Sequence, residues 1–172
     1  MECSLVEATA LLCTTFQSGR MLLICGNGGS AADAQHIVGE LMKSFVIQRR
    51  LNEGLRGRIM KDCEHGDYLL SHLQGAFPVI SMVNETALMT AYANDEAADL
   101  SFAQQLLGLG HPGDVLLAIS TSGNSKNILY ACEVAHAMDV SVIGLTGLTG
   151  GKMKGMCRIL LNVPETETYK IQ

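Results

Sequence analysis

The stretch VLLAISTSGNS (residues 115–125) changes abruptly from large apolar to small polar side chains. Its first half has the length and composition of a buried strand, whereas nearly all of STSGNS (120–125) is Ser, Thr or Asn. A turn from a strand into a helix needs only one or two such residues. The surplus of hydroxyl and amide groups therefore indicates a ligand site at the end of a strand.

Four further apolar runs have the length of strands, and none alternates with polar residues: MLLIC (21–25), FPVISMV (77–83), VSVIGL (140–145) and ILLNV (159–163). Strands of this kind are buried on both faces. Apolar residues at helical spacing lie between the runs, in segments 31–45, 86–92, 99–109 and 127–138. Alternating strands and helices predict an α/β fold with a parallel sheet covered by helices on both faces.

Composition limits the class of protein. The chain has 172 residues, a net charge of −5 and a sequence pI of about 5.5, which fits one domain over 1–172 and argues against nucleic acid or an anionic membrane as partner. No apolar run is long enough to span a bilayer. The first 13 residues read as a helix and not as a signal peptide. Six cysteines without a CxxC pair predict reduced thiols in a cytoplasmic protein.

One segment interrupts the alternation of strands and helices. Residues 48–75 are charged, with RR, RGR and KD, yet they contain apolar residues at helical spacing. The segment is too long for a plain loop. We expect an excursion with one or two helices between the first two strands.

Two polar junctions, GNGGS (26–30) and STSGNS (120–125), follow the first and third strands. Ligands of parallel sheets bind beyond the carboxyl ends of the strands, and helix N-termini there attract anions. Neither junction contains the GxxxxGK[ST] pattern of nucleoside triphosphate sites. A phosphate monoester on a small molecule suits these residues better. The structural alternative is a capped helix, with Ser125 or Asn124 as the N-cap.

The stretch GNGGSAA also matches GxGxxA, with Gly26, Gly28 and Ala31, which hints at a dinucleotide site. Such a site needs an acidic residue at the end of the second strand, about 20 residues further on. The corresponding region here is SFVIQRR, which contains no acidic residue. We therefore expect no nucleotide cofactor.

Two further pairs are candidates for chemistry. His36 and Glu40 are four residues apart on one helix, so they share a face, and Glu40 is placed to act as a general base. Such a pair also contributes to zinc sites, although more ligands are needed. Asn94 and Asp95 follow a helical run. They suit either the end of a helix or the binding of sugar hydroxyls. A surface pair on a helix and a plain cap remain the structural alternatives.

Taken together, these stretches resemble the sugar isomerase (SIS) domain family, and within it the phosphoheptose isomerases. The resemblance rests on CGNGGSAADAQHIVGEL (25–41), TAYANDE (90–96), GHPGDVLLAISTSGNSKNI (110–128) and GLTGLTGGKMKG (144–155). It implies a three-layer αβα sandwich with a five-stranded parallel sheet of the flavodoxin type. It also implies a homotetramer with sites at subunit interfaces.

The resemblance further implies an aldose–ketose isomerase that converts sedoheptulose 7-phosphate to a manno-heptose 7-phosphate through an enediol. Glu40 would be the catalytic acid/base, and His36, Glu40 and Gln172 match positions that bind zinc in some members. The substrate would be bound by Asn27, Gly28, Gly29, Ser30, Asn94, Asp95, Ser120, Thr121, Ser122, Ser125 and Gln172.

The sequence departs from the family pattern at two places. The excursion at 48–75 replaces a shorter connection, and the family continues beyond the position of Gln172 with a helix that carries a second essential His. Two other functions therefore stay open: a non-catalytic SIS protein that binds a phosphosugar as a regulator or adaptor, and an isomerase of another ketose phosphate.

Overall fold

The computed structural model describes residues 2–172. Its strands are β1 (Leu22–Gly26), β2 (Val79–Ser81), β3 (Val115–Ile119), β4 (Ser141–Thr146) and β5 (Ile159–Asn162). Its α-helices are α1 (Glu2–Gln17), α2 (Gly29–Met42), α3 (Glu53–Asp62), α4 (Gly66–His72), α5 (Thr86–Tyr92), α6 (Ser101–Leu109), α7 (Lys126–Ala137) and α8 (Thr168–Ile171). Short π and 3₁₀ turns lie at Ala93–Ala97, Ala98–Leu100 and Lys152–Gly155.

The five strands form one parallel sheet in the order β2-β1-β3-β4-β5. This is the flavodoxin-type order, in which the chain winds in opposite directions from the β1/β3 pair. The predicted fold class, an αβα sandwich with a five-stranded parallel sheet, is confirmed. Every predicted strand is present: β3 has the predicted bounds, and the other four are shifted or shortened by a few residues at their ends.

The absence of alternation in the strands follows from burial of both sheet faces. In β1, Leu22 and Ile24 pack into one core with α1 and α2, whereas Leu23 and Cys25 pack into the other with α6 and α7. Successive side chains of a strand point to opposite faces, so a strand with apolar cores on both sides must be apolar throughout. The two cores and the sheet between them make the three layers.

The helix predicted for 31–45 is α2, but it ends at Met42, earlier than the apolar spacing indicated. Lys43 has extended backbone angles, and the N–H of Ser44 donates to the side-chain oxygen of Gln74 at 3.1 Å. Gln74 thus holds the chain in a non-helical path. Phe45, which the pattern placed on the buried face, is instead 83% exposed.

The excursion at 48–75 contains α3 and α4, and its two ends are tied together by one side chain. The guanidinium of Arg49 donates to the carbonyl of Leu41 at 2.7 Å and to that of Gly75 at 2.8 Å. It also lies over the ring of Phe77, 4.7 Å from the centroid. The excursion therefore begins and ends at one edge of the sheet, near the start of β2.

Asn94 and Asp95 do not end the helical segment that precedes them. The chain passes from α5 directly into the π turn Ala93–Ala97, then into a 3₁₀ turn and α6. The two side chains bond each other, with Asn94 Nδ2 donating to Asp95 Oδ1 at 2.7 Å. Within residues 2–172, no helix is both long and apolar enough to cross a membrane.

Candidate functional site

The two polar junctions leave the sheet side by side. Gly26, the last residue of β1, is the register partner of Ile119, the last residue of β3. From there the chain continues into α2 on one face and into α7 on the other. This is the topological switch point, where parallel α/β sheets open a crevice beyond their carboxyl ends.

A pocket with a volume of about 290 Å³ lies at this point. It brings together most of the residues that the sequence assigned to substrate. Its lining consists of Asn27, Gly28, Gly29, Ser30, Ile119, Ser120, Thr121, Ser125, Thr168 and Gln172. Segments that are about 90 residues apart in sequence therefore form one polar cavity.

The helices that start at the pocket have no side-chain caps. Gly28 precedes α2 with φ +57°, a conformation that favours glycine, and it has no side chain with which to cap the helix. Ser125 occupies the N-cap position of α7, but its hydroxyl makes no capping bond. It lies 3.1 Å from the hydroxyl of Ser120. Ser125 thus occupies the predicted N-cap position without a side-chain capping bond, while Asn127 Oδ1 accepts from the N–H of Ile128 in the first turn of α7 at 3.0 Å. The remaining N–H groups at the two helix starts can attract an anion.

The STSGNS junction is supported from behind by the loop that follows β4. The carbonyl of Thr121 accepts from the N–H of Gly147 at 3.0 Å, and that of Gly123 accepts from Met153 at 3.0 Å. Gly123 has φ +63°, and a Cβ there would collide with the carbonyl oxygen of Gly150. This packing explains the glycine within the junction and holds the hydroxyl-bearing residues in place.

The segment around α8 closes one side of the pocket. Gln172 Nε2 donates to the hydroxyl of the buried Ser30 at 3.2 Å, and the hydroxyl of Thr168 lies 3.5 Å from that of Thr121. Gln172 was predicted from the resemblance, whereas Thr168 was missed. The available signal was a polar residue soon after β5, at the same edge of the sheet as the two junctions.

The pocket is lined by neutral groups. No side chain of Asp, Glu, Lys, Arg or His is among those that line it. Its polar atoms are hydroxyls, amides and the backbone of two helix starts, which suit an anion with several acceptor oxygens. The arrangement can hold a phosphate group, but it offers no acid or base for proton transfer.

Several predicted site residues lie outside this pocket. Ser122 is exposed, and its hydroxyl accepts from the N–H of Asn124 at 3.2 Å within the loop. Asn94 and Asp95 are also exposed, on the π turn. On α2, His36 is exposed and Glu40 partly so, and no hydrogen bond or ion pair joins the two. A single chain therefore does not bring the proposed base to the proposed phosphate site.

The predicted zinc ligands are His36, Glu40 and Gln172. In the described part of the chain, no three side chains of His, Cys, Asp or Glu stand together as a metal site, but this set contains only two such residues. Gln172 lines the pocket, whereas His36 and Glu40 do not. A catalytic zinc ion normally has three protein ligands, and zinc binding by this set stays a prediction of the resemblance.

The buried cysteines belong to the scaffold and not to the site. Burial raises the pKa of Cys132 to about 12 and that of Cys157 to about 11, and it also raises the pKa of Cys25. Thiols with such pKa values stay protonated at neutral pH, and the nucleophilic thiolate is then scarce.

Known proteins resemble the chain over nearly its whole length. Residues 69–147 match the SIS domain family. A phosphoheptose isomerase from Rhodospirillum rubrum is 39% identical over 169 residues, which are 98% of this chain and 77% of the relative. One from Shewanella sediminis is 37% identical over 172 residues, 98% of this chain and 75% of the relative.

Solved structures give the same relationship. The phosphoheptose isomerase of Neisseria gonorrhoeae superposes with a TM-score of 0.77 at 35% identity, over 98% of this chain and 76% of that one. The phosphoheptose isomerase of Francisella tularensis superposes with a TM-score of 0.79 at 31% identity, over the same shares of the two chains. The resemblance noted from the motifs is confirmed.

Proposed function

Because the chain belongs to the phosphoheptose isomerase family of SIS-domain proteins, an enzyme family, we propose that it isomerises sedoheptulose 7-phosphate to a manno-heptose 7-phosphate. The observation that carries this proposal is the neutral, hydroxyl-rich pocket at the switch point, which suits the phosphate group. Phosphosugar isomerase is the activity that the relatives' names support. Our proposal adds the particular substrate, sedoheptulose 7-phosphate.

The phosphate end of the substrate would occupy the pocket. A phosphate monoester presents several acceptor oxygens, and the pocket presents the hydroxyls of Ser120, Thr121 and Ser125 beside two uncapped helix starts. Charge-assisted hydrogen bonds of this kind are about twice as strong as neutral ones. Binding energy from the phosphate orients the distant reacting carbons, which is how remote contacts raise the rate.

The reaction is a proton transfer between neighbouring carbons. A base removes a proton from C1 of the ketose, the C1–C2 bond becomes the double bond of an enediol, and the C2 carbonyl oxygen gains a proton. Return of a proton to C2, with loss of the proton on the C1 oxygen, leaves the carbonyl at C1. No electrons are gained or lost overall. We assign the carbon proton transfers to the carboxylate of Glu40.

Glu40 lies eleven residues beyond the start of α2, which is about 16 Å along the helix axis. That distance exceeds the length of an extended heptulose phosphate, so the Glu40 that serves a given phosphate site would belong to a second copy of the chain. We propose that the reacting end of the sugar is enclosed by a second copy of the chain in a cytoplasmic homotetramer. His36, Asn94 and Asp95, which a single chain leaves exposed, would then contribute to the same site.

The proton transfers described here are assigned to side chains of the protein, and zinc, if bound, would polarise the carbonyl as a Lewis acid. Zinc binding by His36, Glu40 and Gln172 stays a prediction of the resemblance. Metal content of the purified protein, measured by atomic emission, checks it.

The test is an NMR assay in D₂O with sedoheptulose 7-phosphate as the first of a panel of ketose phosphates. We expect an aldose phosphate that carries deuterium at C2, and slower exchange at C1 of the remaining ketose. Turnover of another ketose phosphate in place of the heptulose would keep the isomerase and change the substrate.

The alternative is a non-catalytic phosphosugar-binding regulator or adaptor. It is favoured by one observation, that no titratable side chain lines the pocket. Under that alternative, no phosphosugar in the panel exchanges its carbon-bound protons with solvent, whether or not it binds. Phosphate-dependent binding with no exchange for any sugar would replace our proposal with this one.

A further inference from the structure

Two asparagines link the turn after β1 to the start of α7, 100 residues further along the chain. Asn27 Nδ2 donates to Asn127 Oδ1 at 2.9 Å, and Asn127 Nδ2 donates back to Asn27 Oδ1 at 2.8 Å. Asn27 follows the last residue of β1, and Asn127 lies in the first turn of α7. The pair therefore joins the two polar junctions on either side of the pocket.

A backbone group agrees with the orientation of both amides. The N–H of Ile128 donates to the carbonyl of Ser125 at 3.1 Å and also lies 3.0 Å from the side-chain oxygen of Asn127. An N–H can only donate, so an oxygen of Asn127 at that position is favoured over the nitrogen. Reciprocal bonding then fixes the amide of Asn27 as well. The side-chain oxygen of Asn27 then accepts from Asn127, and the second N–H of the Asn27 side-chain amide remains as a donor for a ligand.

Only one member of the pair lines the pocket. Asn27 does so, whereas Asn127 does not. A side chain that holds a ligand-site residue without lining the site acts through that residue. Because Asn127 belongs to α7, the pair also sets the separation between the α7 start and the turn that leads into α2, the two sources of backbone N–H groups for an anion.

We propose that Asn127 is a positioning residue for the phosphate pocket. It holds the Asn27 amide with its remaining N–H available to the ligand, and it fixes the spacing of the two helix N-termini. The inference rests on the proposed phosphate site and adds a residue to it that the family motifs did not assign. The pair lies near the surface, so its removal is expected to change affinity far more than stability.

The test is a double-mutant cycle with Asn27→Ala, Asn127→Ala and both together, using the full chain. The dissociation constants of sedoheptulose 7-phosphate and of inorganic phosphate are measured by calorimetry, with the unfolding midpoint of each variant. We expect Asn127→Ala to weaken both ligands by about tenfold, the equivalent of roughly 1.4 kcal/mol. In the Asn27→Ala background it should cause little further loss, because the two residues act as one unit.

Asn52→Ala is the matched control. The side chain of Asn52 accepts from the N–H of Leu55 at 2.8 Å at the start of α3, away from the pocket. Its removal also takes an asparagine oxygen from a helix start, so it reproduces any loss of helix stability. We expect the unfolding midpoint to fall as in Asn127→Ala, with both dissociation constants unchanged.

Three results would overturn the inference. Binding of both ligands by Asn127→Ala as tightly as by the wild type would remove the positioning role and leave the proposed function intact. Additive losses in the double variant would show that Asn127 acts without Asn27. Failure of the wild-type protein itself to bind either ligand would remove the proposed phosphate site, and the inference with it.

Discussion

The pocket beyond β1 and β3 differs from the face of α2 that carries His36 and Glu40. One chain completes the pocket, whereas it leaves that face of α2 without partner residues. The pocket is built from backbone turns, and the register of β1 with β3 brings its two halves together. Glu40 and His36 lie on the side of a helix, where no other candidate residue of the same chain approaches them closely enough for a hydrogen bond. The proposed binding site thus lies at the sheet edge of one chain, whereas the proposed catalytic residues on α2 would require further partners.

The largest expected effect separates these two regions. Glu40→Gln removes the proposed base and keeps the shape of the side chain, so kcat should fall by about 10³-fold, within the range for general acid–base catalysis. The affinity for sedoheptulose 7-phosphate should stay within about threefold of wild type, because Glu40 does not line the phosphate pocket. Steady-state kinetics and calorimetry measure the two quantities.

Glu53→Gln is the matched control, since Glu53 lies at the exposed start of α3 and its loss changes net charge equally. It should retain wild-type kcat. Turnover that survives in Glu40→Gln would show that the base is another residue.

Two serines of one loop provide the next comparison. Ser125 lines the pocket beside Ser120, whereas the hydroxyl of Ser122 is used within the loop. Ser125→Ala should raise KM by about tenfold with kcat little changed, because one hydrogen bond to a charged group is lost. Ser122→Ala should leave KM within about twofold of the wild-type value, by the same reasoning for a hydroxyl that does not reach the ligand.

Equal effects of the two serine variants would contradict this division of the loop. They would also restore Ser122 to the phosphate ligands that the family motif implied.

The sequence predicted the pocket well because its main parts are local. Strand ends and glycine-bearing junctions are readable from a short window, and the parallel sheet then places them at one edge. Asn127 and Thr168 were missed for the opposite reason. The first acts through a residue 100 positions away, and the second reaches the pocket only because the chain turns back after β5. The Asn127 contact leaves no local pattern, and the signal for Thr168 was no more than a polar residue soon after β5.

One local misjudgement has a similar cause. The apolar spacing carried the helix to Phe45, but a side chain from residue 74 holds the chain in an extended path after Met42. A contact with a distant residue there decided the outcome over propensity.

Thr168→Val tests a smaller contribution to the pocket. Valine has nearly the same shape without the hydroxyl, and we expect KM to rise by about threefold to fivefold, the loss of one modest hydrogen bond. Thr166→Val, two residues earlier and outside the pocket, is the control. A KM in Thr168→Val equal to that of the control would remove Thr168 from the site.

The smallest expected effect near neutral pH is on the stability of the fold, through a buried cysteine. The pKa of Cys132 is raised by burial from 9.0 to about 12, so the folded state retains a proton that the unfolded state loses. The stability from this group is present below pH 9 and is lost as the pH rises from 9 towards 12. Urea unfolding midpoints should be level from pH 7 to 8.5 and fall above pH 9.

Cys132→Ala should make that alkaline fall less steep, although the variant is less stable at neutral pH because a buried side chain is truncated. Cys63→Ala, at an exposed position, should leave the slope unchanged. An unaltered slope in Cys132→Ala would assign the alkaline loss to other groups.

The central claim, that the pocket between the two junctions holds the phosphate of a sugar, is tested most directly by one titration. Calorimetry with the Glu40→Gln protein compares sedoheptulose 7-phosphate with sedoheptulose, in wild-type and Ser125→Ala backgrounds. We predict that the phosphorylated sugar binds at least 100-fold more tightly, about 2.7 kcal/mol, and that Ser125→Ala reduces this preference. Equal affinity for the two sugars would contradict the account, because the pocket would then contribute nothing to recognition of the phosphate.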